Sequence, residues 1–112
     1  MLTKYLAGKN ISQAVLRGSS LISKNKIPVL NYAIENSNNY RDTYNEYDKL
    51  ISSIDDKYRI ALKLSSFSFD LQIVKKIIDK AVSKNITILV DAEDNDNNKL
   101  YQESVNSLIY TY

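Results

Sequence analysis

The sequence predicts an α/β protein in which a leading helix is followed by three strand–helix units built around a parallel sheet. Three short apolar segments that favour strands begin near residues 27, 58 and 86, and an amphipathic segment follows each of them. That alternation is typical of parallel sheets, whose strands are joined by helical crossovers. The strand segments are almost continuously apolar, which predicts burial on both faces of the sheet.

The leading helix and the first unit come from residues 11–54. Asn10 can cap a helix over residues 11–23, and Gly18 weakens the middle of that helix. A strand is expected over residues 27–34, with Pro28 at its start, where no ladder hydrogen bond is yet required. The helix that follows, roughly residues 40–54, has an apolar face formed by Tyr40, Tyr44, Tyr47, Leu50, Ile51 and Ile54.

The second unit is predicted to contain a strand over residues 58–65 and a helix over residues 71–84. Asp70 is a suitable N-cap for that helix, and Asn85 suits the left-handed position just beyond its end. Its apolar stripe should be buried and consists of Leu71, Val74, Ile77, Ile78, Ala81 and Val82.

The third unit is predicted to contain a strand over residues 86–91 and a helix over residues 99–112. The inward-facing residues of the helix are expected to be Leu100, Val105, Leu108, Ile109 and Tyr112. The sequence shows no linker or low-complexity stretch, so residues 1–112 are expected to form a single domain with strand–helix units at about 27–54, 58–84 and 86–112.

Composition excludes several classes of function. The 112 residues include no Cys and no His, which removes disulfides, thiolate nucleophiles, histidine metal sites and Ser–His couples. Fifteen Lys and Arg against thirteen Asp and Glu give a net charge of +2, too balanced to indicate nucleic-acid binding. No apolar run reaches the length of a membrane span and no signal peptide is evident, so the cytoplasm is the default location.

The polar loop after the third strand resembles a calcium loop only superficially. Asp94, Asp96 and Asn98 fall at the first, third and fifth positions, but Lys99 and Val105 occupy the positions that need Gly and Glu. A solvated loop is therefore favoured, and no metal site is expected.

Two charged residues lie where the predicted strands should be buried. Lys63 stands between two leucines, and Asp91 closes the third strand. Burial of either charge alone is costly, and both lie toward the carboxyl ends of neighbouring strands, where parallel α/β folds build their sites. Two interpretations remain open: a structural ion pair, or a site for an anionic substrate in which Asp91 holds Lys63.

Three blocks of the chain resemble the beginning of proline dehydrogenase. Residues 29–35 (VLNYAIE), preceded by LAG at 6–8 and a helix, are similar to the family's first strand. Residues 61–66 (ALKLSS) are similar to its second strand with the site lysine, and residues 89–93 (LVDAE) to its third strand with the site aspartate. The blocks occur in the family's order and spacing, and together the resemblance covers nearly the whole chain.

The resemblance implies part of a (β/α)8, TIM-like barrel that uses FAD to oxidise L-proline to pyrroline-5-carboxylate in proline catabolism. If the matching residues keep the roles they have in the family, Lys63 would contact the substrate carboxylate and Asp91 would pair with Lys63. The backbone at Ala92 would then lie against the flavin. A lysine point charge suits an amino-acid carboxylate, and the flavin supplies the redox chemistry. The chain departs from the family at Asn31, where the first strand usually has Asp.

Strands four to eight of such a barrel are not represented in the sequence. The chain is therefore expected to be an incomplete or split member of the family that is inactive alone and needs a complementary chain. Its open sheet edges could also allow self-association. The alternative is a non-catalytic interaction module built from the same three-unit layer.

Overall fold

The computed structural model describes residues 10–32, 40–91 and 98–111, which form four helices and a three-stranded sheet. The chain order is α1, β1, α2, β2, a short 3₁₀ turn, α3, β3 and α4. Their bounds are Ile11–Ser23 (α1), Val29–Leu30 (β1), Tyr40–Ser52 (α2), Arg59–Leu62 (β2), Leu64–Phe67 (the 3₁₀ turn), Leu71–Ser83 (α3), Thr87–Val90 (β3) and Asn98–Thr111 (α4).

The sheet is parallel and open, with strand order β1-β2-β3, as the strand–helix alternation predicts. Leu30 is in register with Ile60 on β2, and Ile60 with Ile88 on β3. Ile60 and Leu62 are fully buried in the same core as α2 and α3, so these helices cover one face of the sheet. None of the described helices is long and apolar enough to cross a membrane.

The predicted helix boundaries are confirmed by their capping contacts. The Asn10 side chain accepts a hydrogen bond from the backbone N–H of Gln13 at 3.0 Å, and Asp70 accepts from the first turn of α3. Asn85 takes the left-handed conformation, with φ 58°, just beyond α3. Local side-chain chemistry therefore sets these helix ends, as capping rules require.

The end of α2 is stabilised both by its own serine hydroxyls and by two lysines, Lys80 of α3 and Lys84 just beyond it. Lys84 donates through Nζ to the carbonyls of Ile51 and Ile54, each at 2.6 Å. Lys80 forms an ion pair of 2.7 Å with Asp48. The last carbonyls of a helix have no intrahelical donor, so Lys84 supplies both a hydrogen bond and a charge that suits the helix dipole.

The second strand is shorter than the sequence predicts. Instead of continuing to Ser65, the chain leaves the ladder after Leu62 and enters the 3₁₀ turn. Ser68 and Phe69 then both take positive φ angles, 51° and 57°, and bring the chain to the cap of α3. Two consecutive left-handed residues without glycine are a costly local conformation that the buried Phe67 and the surrounding core must hold in place.

The predicted apolar faces are confirmed on α2 and wrong at three positions elsewhere. Val82, Leu100 and Ile109 were expected to face inward, but they are 56%, 44% and 66% exposed. The prediction that every strand is buried on both faces is also wrong, because β3 alternates between exposed and half-buried residues. In each case the neighbouring element needed to cover the residue is not present among the described residues.

Candidate functional site

The site predicted from the sequence lies at the carboxyl edge of the sheet, where three polar residues follow the three strands. Asn31 comes directly after β1, Lys63 after β2 and Asp91 after β3. In parallel sheets the carboxyl ends of all strands meet at one edge, and ligands bind there. The topology therefore brings these three residues to the same edge.

Lys63 and Asp91 are the next pair beyond the last ladder pair of β2 and β3. Leu62 is in register with Val90, and the backbone N–H of Asp91 donates to the Leu62 carbonyl at 2.8 Å. Lys63 keeps an extended backbone, with φ −108° and ψ 133°. Strand alternation puts the two residues on the same side of the sheet as Ala61 and Leu89, away from the helix-covered face. Both are half-buried, and the ionic contact between them stays a prediction.

Tyr47 of α2 links two strands near this edge by hydrogen bonds from the helix side. The buried Tyr47 hydroxyl accepts a hydrogen bond from the backbone N–H of Tyr32 at 3.1 Å and donates to the carbonyl of Ala61 at 3.0 Å. It thereby ties the chain leaving β1 to the middle of β2. Its ring packs against Phe67, with centroids 5.5 Å apart, and edge-on to Tyr32.

The environment of Tyr47 keeps its hydroxyl neutral. Burial raises the pKa of Tyr47 well above the ordinary 10.0, the Tyr32 N–H hydrogen bond opposes that effect, and the negative charge of Asp91 raises the pKa further. The Asp91 carboxylate therefore acts electrostatically on a phenol that holds the strands together. Sequence reasoning assigned Tyr47 to packing alone, because helical spacing reveals a buried face but not the backbone groups that the hydroxyl will meet.

Asn31 carries an unsatisfied acceptor at the same edge. Its Oδ1 atom is buried and has no hydrogen-bond partner within residues 10–32, 40–91 and 98–111. Buried polar atoms in folded proteins are almost always paired, so this oxygen could accept a hydrogen bond from a ligand that reaches it. The sequence marked Asn31 only as a departure from the resembled family.

The third residue predicted for the site, Ala92, lies outside the described residues, as do residues 93–97 of the loop that follows β3.

Comparison with protein-family models, curated proteins and solved structures found no match for this chain. The geometry of the carboxyl edge is therefore the basis on which a function is assigned.

Proposed function

We propose that this chain is the amino-terminal part of a proline dehydrogenase-like barrel, in which Lys63 binds the carboxylate of L-proline and Asp91 orients Lys63. The observation that carries the proposal is the register of β2 and β3, which makes Lys63 and Asp91 neighbours at the carboxyl edge. An aspartate beside the lysine would hold the ammonium in place for an anionic substrate. A purely structural ion pair could lie anywhere on the sheet, whereas the ligand sites of parallel sheets lie at the carboxyl edge.

The oxidation of proline to pyrroline-5-carboxylate removes a hydride from the ring carbon that is bonded to nitrogen and does not carry the carboxylate. It also removes a proton from the nitrogen, and that proton passes to water. Lys63 would fix the carboxylate, which orients the ring. The buried Oδ1 of Asn31, which has no partner among the described residues, would accept a hydrogen bond from the substrate N–H only if substrate binding opened a path to it. Tyr47 would hold the β1 and β2 backbones at a fixed separation and so preserve the distance between these two contacts.

This edge fits FAD only in part. Ala61, on the second face of the sheet, is only 1% exposed, so no flavin ring can lie directly over it, and the half-buried Lys63 and Asp91 mark the accessible part of the edge. Of the three residues that follow the strands, Lys63 alone is a cation, and it is assigned to the substrate. FAD, when bound, would accept the hydride, and its phosphates would need donors from another chain.

A complementary chain is the second part of the proposal. The described sheet has three strands and is open, whereas a (β/α)8 barrel closes with eight. The chain alone is therefore expected to bind substrate weakly and to turn over no proline. The alternative function, a non-catalytic interaction module, is favoured by one observation: a groove of about 420 Å³ beside β3 whose lining, in the part of the chain that the structure describes, is aliphatic.

Ligand-induced chemical-shift changes in the backbone amide spectrum of the ¹⁵N-labelled chain test the site directly. Addition of L-proline, with and without FAD, should move the amide signals of Asn31, Lys63 and Asp91. Lys63→Met should abolish the shifts, and Lys57→Met, which removes an exposed lysine before β2, should leave them unchanged. Shifts that survive Lys63→Met, or an unchanged spectrum at saturating proline, would contradict the proposed site.

Flavin retention tests the complementary-chain part separately. The purified chain should carry little FAD by its visible absorbance, and co-expression with a candidate chain that supplies further strand–helix units should raise the flavin content and produce proline oxidation. Stoichiometric FAD and turnover by the chain alone would show that no complement is needed, while leaving the assignment of Lys63 intact.

A further inference from the structure

The two edges of the sheet are protected to different degrees. The β1 edge is only two residues long, begins after the buried Pro28 and packs against α1. Short strands and a nearby proline are common ways to prevent further strand pairing. The β3 edge is four residues long and contains neither Pro nor Lys, and within residues 10–32, 40–91 and 98–111 no strand pairs with its outer side.

The hydrogen-bonding groups on the outer side of β3 can be assigned from the ladder. Because the N–H of Asp91 donates to Leu62 on β2, the odd-numbered residues of β3 face β2. In a parallel ladder alternate residues face opposite neighbours, so the N–H and C=O groups of Ile88 and Val90 point away from the sheet. These two residues offer four backbone groups to an incoming strand.

Apolar side chains surround this edge on both faces of the sheet. On the helix side the aliphatic groove is lined by Ile78, Ile88, Val90, Val105, Leu108 and Ile109. On the other side Leu89 is 38% exposed, and Ile109 at the rim of the groove is 66% exposed. Among the described residues the groove lining contains no charged side chain, so the described linings of two copies placed against each other would meet no like charge.

We propose that two copies of this chain associate through the β3 edge and form a continuous six-stranded sheet. The strands run antiparallel about a two-fold axis at Leu89, which lets Ile88 of each copy pair with Val90 of the other and uses all four outward backbone groups of each strand. The same axis puts both helical layers on one side, so that the exposed Ile109 residues are covered by the facing groove. An interface of this kind is isologous, because the same surface serves both partners.

The geometry around Leu89 provides a specific test. In such a pair the two Leu89 residues face each other without a backbone hydrogen bond between them, and their Cα atoms lie about 4.5 Å apart. That separation is within the range of a disulfide. Since the chain has no Cys, Leu89→Cys introduces a single thiol, and mild oxidation should produce a covalent dimer in high yield.

Matched variants are available on other exposed aliphatic residues. Leu16 on α1 and Val82 on α3 are 70% and 56% exposed, and Leu16→Cys and Val82→Cys should cross-link far less than Leu89→Cys. In sedimentation equilibrium the unmodified chain should dimerise. Leu89→Lys or Ile109→Lys should weaken dimerisation at least about tenfold, because an unpaired ammonium would be buried, while Leu16→Lys should not.

Circular dichroism should show that each lysine variant keeps the helical content of the parent, since both positions are exposed in the single copy. A chain that stays monomeric at about 100 μM would overturn the proposal, as would a dimer weakened by Leu16→Lys rather than Leu89→Lys. A dimer in which Leu89→Cys fails to cross-link would refute the antiparallel register. The proposal does not rest on the assignment of Lys63 to proline, so either can fail alone. The fourth strand of a closed barrel would pair with this same edge, so a complementary chain should compete with the dimer.

Discussion

Replacing Gly18 with Ala should destabilise the protein, although alanine is the better helix former. Gly18 is buried in the middle of α1, where Tyr58 crosses the helix. A Cβ atom at this position would overlap Cε2 of Tyr58 and lie 3.2 Å from Cδ2 of the same ring and 3.3 Å from Cβ of Pro28. The ring cannot swing aside freely, because the Tyr58 hydroxyl donates a 2.8 Å hydrogen bond to the Val15 carbonyl.

The expected size follows from three contributions to the free energy of unfolding. Helix propensity favours Ala over Gly by about 1 kcal/mol. Overpacking of a buried contact costs about 1–3 kcal/mol. Displacement of the ring would also weaken the Tyr58 hydrogen bond, at a cost of about 1 kcal/mol. Gly18→Ala should therefore lower the free energy of unfolding by about 1–3 kcal/mol, which urea denaturation followed by circular dichroism can measure.

A double-mutant cycle separates the packing effect from helix propensity. In a Tyr58→Leu background the overlapping ring is gone, so Gly18→Ala should become stabilising by about 1 kcal/mol. Ser19→Ala, at the neighbouring exposed position, serves as a control for propensity alone. If Gly18→Ala stabilises the parent chain as much as the Tyr58→Leu chain, the close approach of Tyr58 does not constrain this position.

Three further substitutions test contacts that join different elements. Lys84→Met should lower the free energy of unfolding by about 1–2 kcal/mol, because the carbonyls of Ile51 and Ile54, at and just beyond the end of α2, lose the Lys84 ammonium. Lys76→Met on the exposed side of α3 should have little effect. Thr43→Val should stabilise the chain by about 1 kcal/mol in thermal unfolding, since the buried Thr43 hydroxyl has no partner among the described residues; a loss of stability would show that it is hydrogen-bonded. Tyr47→Phe should cost about 1–2 kcal/mol at neutral pH, through the loss of two hydrogen bonds. Because the folded pKa of Tyr47 is raised above its unfolded value of 10.0, the parent chain should lose stability as the pH rises beyond 10.0, and the difference from Tyr47→Phe should narrow there; a constant difference would contradict the raised pKa.

The candidate site was predictable from the sequence in part. A lysine and an aspartate at the ends of apolar strands are visible in the sequence, and the strand–helix alternation indicates that both ends lie at one edge. The ladder of β2 and β3, which makes Lys63 and Asp91 neighbours, is visible only in the structure, and the role of these two residues in a site stays a prediction. The sequence did not reveal that Oδ1 of Asn31 is unpaired among the described residues, or that the Tyr47 hydroxyl forms hydrogen bonds. Both properties depend on chain segments that are distant in sequence.

Local chemistry in the sequence determined the helix ends, the parallel topology and the buried face of α2. Capping by Asn10 and Asp70, and termination by the left-handed Asn85, involve only residues close in sequence. The neighbouring residues are therefore enough to predict them. Tertiary structure alone decided that Gly18 must stay small, that Lys84 stabilises the end of another helix, and that Ile109 remains exposed. The physical reason is that sequence periodicity states which side chains prefer burial, whereas the elements available to cover them are set by packing across the whole chain.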